Sequence, residues 1–256
     1  MSNELKTMNN KLAKTGFSLT EVLLAIATLA IGMLFIAGTF LAGIYMTAVA
    51  AERTTAAVVA DEAFAKIKLY GINPADPNLS FIQLMRFEDI AARRPVPAEE
   101  FAYPSTHADI SEKQYYWSAL CRRVDPNTAS RLVQVTVFVS RKTASAASYQ
   151  GGAGMPVPMA VRILILATPP TNVLTGSPGP TLTWINDGCT IVDDQTGQIY
   201  RVLQRRDPVP SAFPGPTIEL DRPWEGVFAN YVWVIPPPIG SGKDPCIAVY
   251  QKIMRF

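Results

Sequence analysis

FSLTEVLLAIATLAIGMLFIAGTFLAGIYMTAVAAERTTAAVVADEAFAKIKLY, residues 17–70, decides the architecture of this chain. Between Glu21 and Glu52 it runs for thirty residues without a charge, longer than the ~20 residues that cross a hydrocarbon core as an α-helix. Past Glu52 the pattern changes from uniformly apolar to amphipathic. Ala56, Val59, Ala60, Ala63, Phe64 and Ile67 recur at three- and four-residue steps, while Arg53, Asp61, Glu62, Lys66 and Lys68 lie mostly off that stripe. Glu62 and Lys66 form an i,i+4 pair in the favourable order. Gly71, Pro74 and Pro77 then end the helix. The spacing predicts one helix of two parts over 17–70, ~80 Å long at the helical rise of 1.5 Å per residue. Its first part suits a membrane, and its second needs a partner to cover the stripe.

Outward toward the amino terminus, residues 1–16 (MSNELKTMNNKLAKTG) are short, polar and basic. The apolar run that follows is longer than the 7–15 residues of a secretory signal and lacks an Ala-x-Ala site followed by polar sequence, so it is expected to stay with the mature protein. Lys6, Lys11 and Lys14 on one flank, against Arg53 beside Glu52 on the other, put the amino terminus in the cytoplasm and the rest outside. The anomaly is Glu21, a carboxylate at the edge of the apolar run with no cation inside that run to meet it. A charge at the bilayer centre costs ~2.5–3.5 kcal/mol on insertion scales, less near an interface, so a partner is expected. Cleavage after Gly16 would create one, the new amino group of Phe17.

The order Lys14-Thr15-Gly16-Phe17-Ser18-Leu19-Thr20-Glu21-Val22, followed by an apolar helix, resembles the class III signal of type IV pilins and type II secretion pseudopilins. The resemblance covers residues 11–50. It implies that a prepilin peptidase cuts after Gly16 and methylates Phe17, that Glu21 is the assembly glutamate, and that the partners are other pilin or pseudopilin subunits and, before assembly, inner-membrane lipid. It implies a structural subunit and not an enzyme, with no cofactor, first held in the cytoplasmic membrane with its carboxyl-terminal domain outside and then in a filament. The size of the chain favours a minor subunit. A proline often found within the family's apolar helix is absent here.

The rest of the chain is expected to give an α+β protein, the helix packed on an antiparallel sheet with a further carboxyl-terminal β-rich region. The divisions are a leader over 1–16, a membrane or filament-core helix over 17–46, its amphipathic continuation over 47–71, a pilin-like domain over 72–168 and a β-rich extension or subdomain over 169–256. Phe81 to Ala92 reads as a short helix, and PVPAEEFAYPSTHAD as loop. YYWSALCRRV (115–124) and LVQVTVFVSRK (132–142) flank Asp125-Pro126-Asn127 as a hairpin with one face on the helix, and Val161 to Thr168 reads as a central strand of the same sheet. Cys189 to Asp193 and Gln198 to Gln204 flank Asp194-Gln195-Thr196-Gly197 as a second hairpin, with glycine where positive φ is wanted. Thr217 to Leu220, Tyr231 to Ile235 and Ile247 to Met254 are further strands.

Candidate chemistry is sparse. With the leader removed, the formal charge falls from +2 to 0, so no general field favours nucleic acid and no specific nucleic-acid partner is expected. The dipeptides Arg122-Arg123 and Arg205-Arg206 read as solvated strand ends. One histidine, His107, excludes multi-histidine metal sites and argues against a histidine-based triad. Gly240-Ser241-Gly242-Lys243 lacks the first glycine of a phosphate loop, where Pro237 stands, and its final Ser or Thr, where Asp244 stands. Asp187, Asp193 and Asp194 can ligate calcium or simply form turns. Three cysteines in an exported chain suggest one pair and one free thiol; Cys189 with Cys246 is the candidate bridge and Cys121 the buried thiol, although pairing is not legible from sequence. The rival reading is a single-pass anchored extracytoplasmic domain that binds or hydrolyses a ligand.

Overall fold

The computed structural model describes residues 17–90, 96–106, 109, 113–127, 130–142, 148–149, 155–165, 171–176, 180–207, 215–226, 231–239 and 244–256. The chain divides into two compact units, the first ending at Ala51 and the second running Glu52–Phe256. Helix α1, Leu19–Tyr70, supplies the first unit's described helix and opens the second unit. It ends at Gly71, whose φ of +76° is the left-handed conformation that favours glycine and whose N–H donates to Ile67 O at 2.9 Å.

In the second unit, the buried side chains of α1 are Ala56, Val59, Ala60, Ala63, Phe64 and Ile67, the stripe expected from the three- and four-residue spacing. They pack on an antiparallel sheet built from β1 (Met85–Arg86), β2 (Ala102–Tyr103), β3 (Tyr115–Arg123), β4 (Leu132–Arg141) and a last strand, Cys246–Arg255. The order is β1, β3, β4 and then the last strand, with β2 also pairing with β3. The hairpin of β3 and β4 pairs Tyr115 with Arg141 through Arg123 with Val133. Trp117, Ala119, Cys121, Val133, Val135, Val137 and Val139 therefore share the face toward α1, as alternation requires. Arg141 Nη1 donates to Glu52 Oε1 at 2.8 Å and Oε2 at 3.1 Å, and Lys66 pairs with Glu62 at 3.0 Å and Glu100 at 2.8 Å.

Between β4 and the last strand the chain makes a closed antiparallel barrel. Its strands are β5 (Met159–Leu164), β6 (Thr171–Gly176), β7 (Thr190–Asp193), β8 (Ile199–Arg206), β9 (Thr217–Trp224) and β10 (Tyr231–Val234), and the last strand of the chain is β11. Around the barrel the order is β10, β5, β6, β9, β8, β7. Its interior holds Val161, Ile163, Leu174, Ile191, Tyr200, Val202, Ile218, Trp224 and Val232, joined by Leu182 and Ile185 from the segment after β6. Tyr200 and Trp224 stack at 4.8 Å between ring centroids.

The barrel covers the face of the sheet opposite α1. Leu120 and Phe138 are buried there with Leu84, Val192 and Ile235. Gln134, Thr136 and Ser140 on β4 are buried too, so β4 has both faces covered over most of its length. Asp194 N–H donates to Tyr231 O at 3.2 Å, and its Oδ1 accepts from Leu84 N at 3.1 Å and Trp233 Nε1 at 2.6 Å. Gln251 Nε2 donates to Gly197 O at 2.7 Å and Thr136 Oγ1 at 3.1 Å. Arg122 reaches across to Gln195 O and to Gln134 Oε1, the latter at 2.8 Å.

Three readings from the sequence need correcting. Among its described residues, the segment Phe81 to Ala92 is helical only over Phe87–Ile90, because β1 pairs with β3 immediately before it; residues 91 and 92 lie outside the described residues. The strand expected over Val161 to Thr168 runs Met159–Leu164 and belongs to the barrel, between β10 and β6, not to the sheet under α1; residues 166–168 lie outside the described residues. The segment PVPAEEFAYPSTHAD, expected as loop, includes a 3-10 turn at Ala98–Phe101 and the short strand β2, which pairs with β3 and buries Phe101 against Trp117.

Candidate functional site

The candidate site is the head of α1. Ser18 precedes the helix, its Oγ accepting from Glu21 N–H at 3.2 Å and its carbonyl oxygen from Glu21 N–H at 3.0 Å and Val22 N–H at 3.2 Å. Ser18-Leu19-Thr20-Glu21 is thus the S-x-x-E spacing of a capping box, with Glu21 in the first turn where the helix dipole favours an anion. That signal stands in the sequence and gives Glu21 a local role at the start of the helix. Phe17 is 82% exposed, and no ion pair to Glu21 occurs among the described residues. Gly16, the expected cleavage point, lies outside the described residues.

From Phe17 to Ala51 every side chain except Val49 is exposed in the chain taken alone, including Leu24, Phe35, Ile36, Phe40 and Leu41. Water does not tolerate an apolar surface of that extent, so its cover must come from lipid or from other helices. The helix is long and apolar enough to span a membrane. Three of its threonine hydroxyls are satisfied internally: Thr28, Thr39 and Thr47 donate to Ala25 O, Ile36 O and Gly43 O at 3.0, 2.9 and 2.8 Å. Internal satisfaction is what a hydrocarbon environment demands of polar groups.

The other candidates resolve into local structure. Asp193 accepts from Gln195 N at 3.2 Å and Thr196 N at 3.1 Å, Asp187 accepts from Arg205 N at 2.6 Å, and Asp194 is spent between Leu84 and Trp233. The turn at 194–197 has Gly197 at φ +72°, as expected. Among the described residues no group of three or more His, Cys, Asp or Glu is arranged to hold a metal. His107 and Gly240 to Lys243 lie outside the described residues.

Arg122 and Arg123 are not solvated strand ends. Arg122 is half-buried between sheet and barrel, and Arg123 Nε donates to Leu79 O at 2.7 Å. Arg205 donates to Leu182 O at 2.9 Å and Ile185 O at 3.2 Å and pairs with Asp207 at 3.0 Å.

Cys121 is fully buried under α1, and burial pushes its thiol far above the ordinary range. Cys189 and Cys246, the candidate bridge, are both free thiols in the structure, each near enough to the Asp244 carboxylate to feel its charge. Burial pushes Cys189 up to about 12 and Cys246 well above its usual value, with the Asp244 carboxylate adding to both. A fully buried thiol such as Cys121 packs as a small apolar side chain.

One hollow of about 400 Å³ opens where the barrel meets the sheet, lined by Arg86, Asp89, Asp194, Tyr231 and Trp233 among others. Arg86 donates to Pro158 O at 3.0 Å and lies 6.0 Å from the centre of the Trp233 ring. Sequence reasoning missed this hollow because its walls come from β1, β5 and β10, three segments remote in the chain.

No family model, no curated protein and no solved structure matches the chain.

Proposed function

We propose that the chain is a minor structural subunit of a type IV pilus or a type II secretion pseudopilus, made as a prepilin, cut after Gly16 and assembled through α1. The observation that carries this reading is the register at the head of the helix. A basic leader ends in Gly16-Phe17, and a glutamate follows in the first turn of a long, exposed apolar helix without a cation for it among the described residues.

Cleavage gives Phe17 a free amine close in sequence to Glu21, in its own subunit or an adjacent one. Removing the leader also takes away Lys6, Lys11 and Lys14, so the amine becomes the cation at that end of the segment. The pair then neutralises both charges at one depth, and the apolar surface exchanges lipid for neighbouring helices without meeting water. The peptidase acts on the chain, which is its substrate and has no catalytic part of its own in this scheme.

The test is incorporation in the native cell. Glu21→Ala and Glu21→Gln chains are expected to be cut normally yet to disappear from the sheared filament fraction, and Glu21→Asp to be retained in part. Undiminished incorporation of Glu21→Ala sinks the reading. The hollow at Arg86 and Trp233 favours a second reading, an anchored extracytoplasmic binding domain; that reading predicts normal function after the cleavage point is destroyed by Gly16→Val, so long as the anchor remains.

A further inference from the structure

The sheet under α1 has an open side. Among the described residues β11 pairs only with β4. Phe256 N–H donates to Arg131 O at 3.0 Å, which continues the β4 ladder one step past Arg255 and Leu132. In an antiparallel strand the N–H and C=O of one residue point to the same side, and the side alternates along the chain. The even residues of β11 from Ala248 to Met254 therefore bond β4. Val249, Gln251, Ile253 and Arg255 turn their backbone groups to the open edge.

Beside that edge a groove of about 340 Å³ runs between β11 and α1, walled by Asp61, Phe64, Lys68, Lys252, Ile253 and Arg255. Three cations and one carboxylate are among its lining residues, and alternation along β11 puts Lys252 on the α1 side of the strand and Ile253 and Arg255 on the other. Lys252 Nζ lies 5.7 Å from the centre of the Phe64 ring, and neither Lys68, Lys252 nor Arg255 has an ion-pair partner among the described residues. Ile253 is 59% exposed, an apolar side chain between Lys252 and Arg255 on that strand, two residues from the latter.

We propose that the open edge of β11 is a docking site for an extended acidic segment of a partner protein, added to the sheet as a further antiparallel strand. Backbone hydrogen bonds at the outward residues hold it, the cations of the groove select its charge, and Ile253 meets an apolar side chain at alternate positions. A second copy of β11 is the wrong occupant. Cys246–Arg255 carries Lys252 and Arg255 and no acid, so two copies would set like charges side by side. The same cations that turn a copy away attract an acidic strand. This site is separate from the apolar part of α1 and stands or falls apart from the prepilin reading.

The test uses the full chain in detergent micelles with a short blocked peptide alternating glutamate with valine, and the same peptide with lysine in place of glutamate. Binding is read by calorimetry and by amide exchange along β11. The acidic peptide is expected to bind, to protect Val249, Gln251, Ile253 and Arg255 and to lose affinity as salt rises, while the lysine peptide does not bind. Ile253→Pro removes one outward donor and leaves the bonds to β4 intact, since proline is tolerated where a strand edge faces solvent; it should weaken binding about tenfold. Lys252→Glu with Arg255→Glu should reverse the preference between the two peptides. The proposal is overturned if the acidic peptide does not bind, if both peptides bind alike, if Ile253→Pro binds as the parent does, or if β11 amides are protected by association of the chain with itself.

Discussion

Replacing Phe138 by alanine measures directly whether the barrel is docked on the sheet. Phe138 lies on β4 between Val137 and Val139, which face α1, and is itself turned the other way and fully buried with Leu84, Leu120, Val192 and Ile235. If that face were open to water, the substitution would fall within ~0.5 kcal/mol, as surface changes usually do. Buried as it is, Phe138→Ala loses its transfer energy and leaves a cavity among side chains from the 84 segment, β3, β7 and the chain after β10. The expected cost is ~3–5 kcal/mol. Urea unfolding of the full chain in micelles, followed through tryptophan emission, gives the number. Ile253→Ala, at a position 59% exposed on β11, is the control expected to stay near zero. A cost below ~1 kcal/mol for Phe138→Ala would refute the docking and return the sheet to a one-sided arrangement.

Three further outcomes follow from single groups. Gly197→Ala sets a Cβ into the Gln134 amide at a φ of +72°, so it should cost ~1–3 kcal/mol, with the part due to contact recovered in a double-mutant cycle with Gln134→Ser; strict additivity would show that contact to be irrelevant. Burial pushes the Asp244 carboxyl up to about 6 from 3.8, so its contribution to stability is complete below the unfolded value and is lost as pH rises through about 6. Asp244→Asn should flatten the fall in stability between those two values, and identical pH profiles would contradict it. Thr175 Oγ1 is buried and has no hydrogen-bond partner among the described residues, so Thr175→Val should be neutral or stabilising by ~1 kcal/mol in thermal unfolding, whereas a loss would reveal a further partner.

The parts legible in the sequence were those with local causes. The stripe from Ala56 to Ile67 has a helical period that nothing else explains, the valines at 133, 135, 137 and 139 alternate, and Gly197 marks its turn. What escaped depends on long-range pairing. Gln134, Thr136 and Ser140 are polar residues alternating with the valines, yet they are buried because the barrel covers them and Gln251 and Arg122 satisfy two of them. Val161 and its neighbours are apolar enough for either sheet, so only the pairing of β5 with β10 places them in the barrel. The return of Cys246–Arg255 to β4 spans more than a hundred residues of sequence and left no local mark beyond strand propensity. At the head of α1 the Ser18 and Glu21 spacing carries the serine half of a capping box, a local signal set at the edge of an apolar run whose length points to a membrane.

The central claim concerns the amino terminus, and the most direct measurement is the intact mass and amino-terminal sequence of the protein isolated from native membranes. The account predicts a chain that begins at Phe17 and carries an added methyl group on its amine. A chain that begins at Met1, or at any residue other than Phe17, would contradict it.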